Sequence, residues 1–248
     1  PAPYAFRQRV REALRRAGLR EVRLIPFVSD EDLEMVRDDD AVRVTNPLQT
    51  DEGWLRTRLL PGLLATARRN VRRHVRSVAV FEVDTVFRMV DGQPVERPKA
   101  AFAMTGNADP GWASGDRPFD VFDAKGGVEA LMAEPGIGWS LGAPAGRPFH
   151  PGRSAVVEAN GERVGVLGEI HPAVAERFDI PGRVGVAELE VEVLMRLARP
   201  FVRVEDVPRF PPVRRDLAFT VEASTPAERV RSALAEAAGD LVSSVLLF

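Results

Sequence analysis

The residue types that could do chemistry in this chain cluster in a few places. Arg56 and Arg58 stand where the chain enters a central helix, and a basic run, Arg68, Arg69, Arg72, Arg73 and Arg76, closes that helix. A guanidinium fork pairs bidentately with a carboxylate or a phosphate. Arg56 is therefore a candidate carboxylate clamp or subunit contact, and the run is a candidate for the phosphates of RNA or ATP. The plainer reading of the run is a solvated helix face. A net charge of -2 favours it, because no surrounding positive field supports a polyanion site. Glu82, on the following strand, is a candidate substrate-facing acid, although alternation puts every second strand residue in water and makes an exposed Glu ordinary. Arg209, Arg214 and Arg215, around Phe210, read either as a basic and aromatic patch for single-stranded RNA or as a charged lead into a strand. Chemistry on ATP needs cations aimed at the phosphates. Spacing alone supplies arginines but no defensible ATP clamp.

Other chemistries are excluded more directly. No phosphate loop, dinucleotide fingerprint, zinc-protease helix or nucleophile elbow occurs. The three histidines, His74, His150 and His171, are too widely spaced to suggest a metal site, and His171 before Pro172 suits a helix start. Asp38, Asp39 and Asp40 point in different directions and read as a solvated turn rather than a magnesium site. With no cysteine there is no thiol nucleophile or disulfide framework. No apolar run approaches the ~20 residues of a membrane helix, and a cytoplasmic location is the expectation. The chain lacks an initiator Met and stops within the apolar run Leu246-Leu247-Phe248, so a piece of a longer protein is expected.

The elements that must position these residues follow from pattern. Phe6, Val10, Ala13, Leu14 and Ala17 have helical spacing, with Gly18 as the stop. Val22 to Val28 reads as a strand, Ser29 with Asp32 as a capping pair for a short helix, and Val42 to Val44 as a short strand. Thr45 to Gly53 is an irregular polar approach to the central helix, which Pro61 can start. Leu64, Ala67, Val71, Val75 and Val78 form its apolar stripe. The next strand, Val78 to Phe87, has Phe81 and Val83 on one face and Val80 and Glu82 on the other. Lys99 to Thr105 is a strand, Gly106 to Arg117 a turn-rich loop, Phe119 to Ala133 a helix and Trp139 to Leu141 a short strand. Ser154 to Ala159 and Arg163 to Ile170 flank Asn160-Gly161, a strong hairpin signal. A short helix ends near Phe178, and Val184 to Val193 is a strand. Beyond Phe201, an extended lead precedes a predicted strand, Leu217 to Val221. A capped helix follows from Thr225 to Ala238, closed by Gly239, and a strand begins at Leu241. The first part is an α+β domain on an antiparallel sheet, residues 1–200; the second is half of a ferredoxin-like unit, residues 201–248.

Four segments carry a resemblance. Thr45 to Phe87 contains, in order, NPL, LRT, LLPGLL and an FE-bearing strand. Phe119 to Gly126 reads FDVFDAKG, Val164 to Pro172 reads VGVLGEIHP, and Phe210 to Leu217 reads FPPVRRDL. The set resembles the β subunit of bacterial phenylalanine–tRNA ligase over nearly the whole chain. The resemblance implies a class II synthetase-like antiparallel sheet flanked by helices, then the start of an anticodon-binding unit. It also implies that the first domain is a catalytically silent copy of the catalytic fold. The strand Val78 to Phe87 has Glu82 where a catalytic copy would carry an ATP-clamping arginine, and Val164 to Pro172 lacks the glycine-rich, arginine-ending segment that closes over ATP. No catalytic residue, metal or cofactor is thus expected in this chain; ATP and Mg2+ belong to the whole enzyme. The implied work is to support an α subunit in an (αβ)2 assembly that joins phenylalanine to its tRNA. Leu55, Arg56, Leu59, Leu60, Phe81 and Glu82 are then candidate interface residues, and Arg209, Arg214 and Arg215 candidate RNA contacts. The alternatives are a stand-alone amino-acid-activating enzyme and an RNA-binding module.

Overall fold

The computed structural model describes residues 2–36, 40–47, 49, 51–108, 117–199 and 211–247. It separates into two compact units, Pro1–Val202 and Arg203–Phe248. In the first, α1 (Ala2–Arg16) leads to β1 (Arg20–Glu21), β2 (Phe27–Val28), α2 (Asp30–Val36), β3 (Val42–Arg43), β4 (Trp54–Leu55) and α3 (Leu60–Val71). Then come β5 (Ser77–Val90), β6 (Gln93–Ala108), β7 (Arg117–Pro118), α4 (Val121–Ala133) and β8 (Ser140–Leu141). The unit ends with β9 (Phe149–Ala159), β10 (Glu162–Ile170), α5 (Pro172–Arg177), β11 (Val184–Glu190) and α6 (Val191–Leu197).

The main sheet has the order β1-β5-β6-β11-β10-β9-β8, with β7 paired to β6. All its pairings are antiparallel except β1 with β5. A small separate sheet joins β2, β4 and β3. The main sheet is covered on both faces. Phe81, Val83, Ala100 and Phe102 meet α1, α4 and α6 on one side. Val78, Val80, Val86, Ala101 and Ala103 meet α2, α3 and α5 on the other. The predicted division of β5 into a Phe81/Val83 face and a Val80/Glu82 face holds, but neither face is solvated.

Several local expectations change. Of the strand predicted from Val22 to Val28 only Phe27–Val28 forms. β5 and β6 are far longer than the predicted strands, because Asp91 and Gly92, both at positive φ, close a tight hairpin that keeps them in register from Ser77↔Gly106 to Val90↔Gln93. The central helix stops at Val71, so Val75 and Val78 are not on its stripe; His74 takes a left-handed conformation and Val78 already belongs to β5. The predicted strand Val184 to Val193 ends at Glu190, and α6 starts at Val191. The Ser29–Asp32 capping pair and the Asn160-Gly161 turn form as expected.

In the second unit, α7 (Ala227–Ala238) is present, and Gly239 ends it with positive φ and an N–H donated to the Ala235 carbonyl. Leu217 to Val221 and the described part of Leu241 to Phe248 are not strands, so the β-α-β half-unit expected from sequence does not form among the described residues. Leu217, Phe219, Leu246 and Leu247 are exposed, and α7 buries none of its residues. A strand needs a neighbour for its N–H and C=O groups, and nothing among the described residues of this unit supplies one. The side-chain cap expected at Thr225 is also absent: the helix starts after Pro226, and Glu228 turns to Arg231.

Candidate functional site

The segment Arg56-Thr57-Arg58 carries the chain from beside β5 to above β11. Its backbone is pinned at both sides: the Arg56 N–H donates to the Pro26 carbonyl, and the Arg56 carbonyl accepts from the Phe87 N–H. Two buried ion clusters then anchor it to one face of the sheet. In the first, Arg56 Nη1 lies 2.9 Å from Glu82 Oε2 and its Nε donates to the Thr85 carbonyl. Asp84 stands 3.4 Å from the same guanidinium, and Glu82 Oε1 accepts the Leu24 N–H. In the second, Glu188 accepts from Arg58 Nε and from the Leu59 N–H, both at 2.8 Å, while Lys99 Nζ lies 3.4 Å away.

Register explains why these groups converge. Glu82 and Glu188 both pair with Ala101 of β6, from opposite sides, and Asp84 and Glu190 both pair with Lys99. Alternation then points all of them to the face that α3 covers. The two carboxylates respond differently. Burial pushes the Glu82 carboxyl above its usual value, and the Leu24 N–H and Arg56 only partly offset it. Burial also pushes Glu188 upward, but Lys99, Arg58 and the Leu59 N–H outweigh it and hold that carboxyl at about 2.

Towards the hairpin end of the same face lies an open cleft of about 280 Å³, lined by Arg88, Arg97, Lys99, Glu190, Glu192 and Val193. Its cations are already matched. Arg88 holds Asp40, Arg97 reaches Glu192 at 3.4 Å, and Lys99 meets Glu190 at 3.0 Å. An ATP triphosphate needs cations that are not already neutralised. The guanidiniums on this face are directed at carboxylates of their own chain, so the residues present do not fit ATP with its magnesium.

The sequence candidates divide accordingly. Arg56, Leu59, Leu60, Phe81 and Glu82 are buried within the domain and Leu55 is half-buried in β4, paired with Phe27 and Val42. Arg56 and Glu82 are brought together; Phe81 faces the opposite core. Glu82 is thus enclosed rather than exposed, and of the six only Leu55 is partly open to solvent. Of the basic run, Arg68 and Arg72 both donate to Asp179 Oδ2, and Arg69 donates to Thr66 Oγ1. Arg214 and Arg215 are exposed in the second unit, while Arg209 and Phe210 lie outside the described residues, as do Asp38 and Asp39. His171 caps α5 by accepting the Ala173 N–H.

Sequence reasoning missed Glu188 and Lys99. The available signal was Glu188 and Glu190, two residues apart in an otherwise apolar strand: such charges lie on one face and need partners there. The glycines of Val164 to Pro172 have a structural cause. A Cβ on Gly165 would stand 2.3 Å from the Glu188 carbonyl oxygen, and Gly168, at φ +155, runs against Arg153 and Ser154. They allow close strand approach at two irregularities of the β9–β10 register.

The family model described as "Phenylalanyl tRNA synthetase beta chain CLM domain" matches residues 2–191. The chain belongs to the phenylalanyl-tRNA synthetase beta chain family. Phenylalanine–tRNA ligase beta subunits of Symbiobacterium thermophilum and Moorella thermoacetica are 43% and 36% identical, each over 96% of this chain. The chain spans only 28% and 31% of those relatives' lengths. Among solved structures, the pyrrolysyl-tRNA synthetase of Desulfitobacterium hafniense superposes with a TM-score of 0.60 over 79% of this chain and 68% of its own, at 14% identity. That likeness is one of fold, and it supports the synthetase-like sheet flanked by helices read from the sequence. This chain thus shares the fold of that structure, and one face of its sheet is closed by internal ion pairs.

Proposed function

We propose that this chain is a non-catalytic module of a phenylalanine–tRNA ligase beta subunit. It supports an alpha subunit, within an (αβ)2 assembly, in the ATP- and Mg2+-dependent attachment of phenylalanine to tRNA in the cytoplasm. The observation that carries the reading is the neutralised sheet face. Arg56 and Arg58, which would otherwise be available to phosphates, are held by Glu82 and Glu188 beneath the start of α3. Family membership supplies the context.

Leu55, Arg56, Leu59, Leu60, Phe81 and Glu82 act in this proposal as an inner frame. They fix the Arg56-Thr57-Arg58 segment and α3, and thereby the outer surfaces that meet the alpha subunit. Residues 1–200 form the synthetase-like part and 201–248 the start of an anticodon-binding part, where Arg209, Arg214 and Arg215 contact RNA.

Two measurements test the reading. The chain mixed with ATP, phenylalanine and pyrophosphate is expected to give no exchange; exchange without an alpha subunit would identify a self-sufficient amino-acid-activating enzyme instead. Co-purification with an alpha subunit is expected, and its absence overturns the supporting role.

A further inference from the structure

The second unit leaves one stretch of chain without a neighbour. Pro211 and Pro212 bound it at one end, since proline has no N–H to donate to a sheet. At the other end the Glu222 carbonyl accepts the Thr225 N–H and the chain turns into α7. Between them, no backbone group of Val213 to Val221 is hydrogen-bonded among the described residues. Leu217, Phe219 and Val221 alternate with Ala218 and Thr220, the period of a strand with one apolar face. They stand 67%, 54% and 48% exposed. An unpaired backbone with an uncovered apolar face is a template for another strand.

A second copy of this chain supplies that strand, and its charges select one register. In an antiparallel pairing about a two-fold axis, the same patch of both copies meets itself, and residues of like parity share a face. Centred on Ala218, the pairing sets Leu217 opposite Phe219 twice and Arg214 opposite Glu222 twice. Centred on Phe219, it would set Asp216 opposite Glu222; centred on Leu217, it would leave Arg214 opposite Thr220. Opposite charges directly across a sheet stabilise it and like charges destabilise it. The small Ala218 then lies on the axis, where two identical side chains meet. We infer that Val213 to Glu222 is a self-association surface, on which two copies of this chain pair as antiparallel strands centred on Ala218.

The chain has no cysteine, so a single introduced thiol tests the register. Directly opposite residues of antiparallel strands have Cα atoms about 4.5–5.5 Å apart, within disulfide reach. Ala218→Cys is expected to give a covalent dimer of the full chain on mild oxidation. Thr220→Cys, whose two copies would stand about 13 Å apart in this register, is expected to stay largely monomeric. In sedimentation equilibrium from about 1 to 100 μM, the average mass of the parent is expected to rise towards twice that of one chain. Arg214→Glu and Glu222→Arg, each alone, set like charges opposite and are expected to weaken association about tenfold. An equal mixture of the two restores both opposite-charge pairs in a heterodimer and is expected to recover it. All four positions are exposed, and unchanged circular dichroism confirms an intact fold in each variant. A parent that stays monomeric over that range overturns the inference, as does equal cross-linking at both cysteine positions or a mixture no tighter than the single variants. So does hydrogen-exchange protection of residues 213–222 that appears only on adding an alpha subunit, which would assign the surface to that partner. Self-association is read on this chain alone, so it can fail while the supporting role stands.

Discussion

Glu188 and Glu82 show how the same residue type, one strand apart, comes to opposite electrostatic ends. Glu188 has two cations and a backbone N–H, and its carboxyl is held at about 2 against an ordinary 4.5. A folded-state value below the unfolded one stabilises the fold above the unfolded value, and that contribution is lost as pH falls from about 4.5 to 2. At neutral pH it amounts to roughly 3 kcal/mol. Glu82, raised by burial, works the other way: its charge costs stability at neutral pH, and the cost eases on acidification. Glu188→Gln leaves Arg58 and Lys99 facing an uncharged group, and is expected to cost about 3 kcal/mol at pH 7. Glu82→Gln leaves Arg56 with Asp84 nearby and is expected to cost less. Urea midpoints at neutral pH check the order. Repeating them towards pH 3 checks the linkage, since the gap between Glu188→Gln and the parent is expected to shrink there.

At the scale of elements, α4 provides a matched pair. Gly126 and Gly127 sit together inside a helix, where glycine is a poor choice by about 1 kcal/mol relative to alanine. A Cβ on Gly126 meets nothing within 4 Å, whereas one on Gly127 lies 2.8 Å from the Phe102 ring. Gly126→Ala is therefore expected to stabilise by about 0.5–1 kcal/mol. Gly127→Ala is expected to destabilise by about 1–3 kcal/mol, because α4 must lift from the sheet. Denaturant unfolding of the two variants checks the opposite signs. The sequence pattern could show the helix and its glycines but not which glycine faces Phe102, because that depends on how α4 lies across β6. The same limit explains other differences. Capping at Ser29 and Asp32, the Asn160-Gly161 turn and the His171 helix start depend on neighbours in sequence, and all were legible. The ion clusters join residues such as Arg58 and Glu188, 130 positions apart, which strand register alone brings together. α6 was hidden because the apolar residues of Val184 to Val193 continue through Glu190, where the strand ends.

For the molecule as a whole, the two units differ in how much they protect. The first has two apolar cores around one sheet; the second has a helix with no buried residue among exposed Val213, Leu217 and Phe219. Brief proteolysis of the full chain is expected to cut within 211–247 well before the sheet, as mass spectrometry of the fragments would show. The pairing of Arg56 with Glu82 also fixes which charge position 82 can carry. An arginine there would set a second guanidinium beside that of Arg56 in a buried pocket. Glu82→Arg is expected to fail to fold cooperatively by circular dichroism, and Arg56→Glu in the same chain to recover part of the transition. The two positions thus constrain each other: the charge that either can carry in this buried pocket is set by the charge at the other.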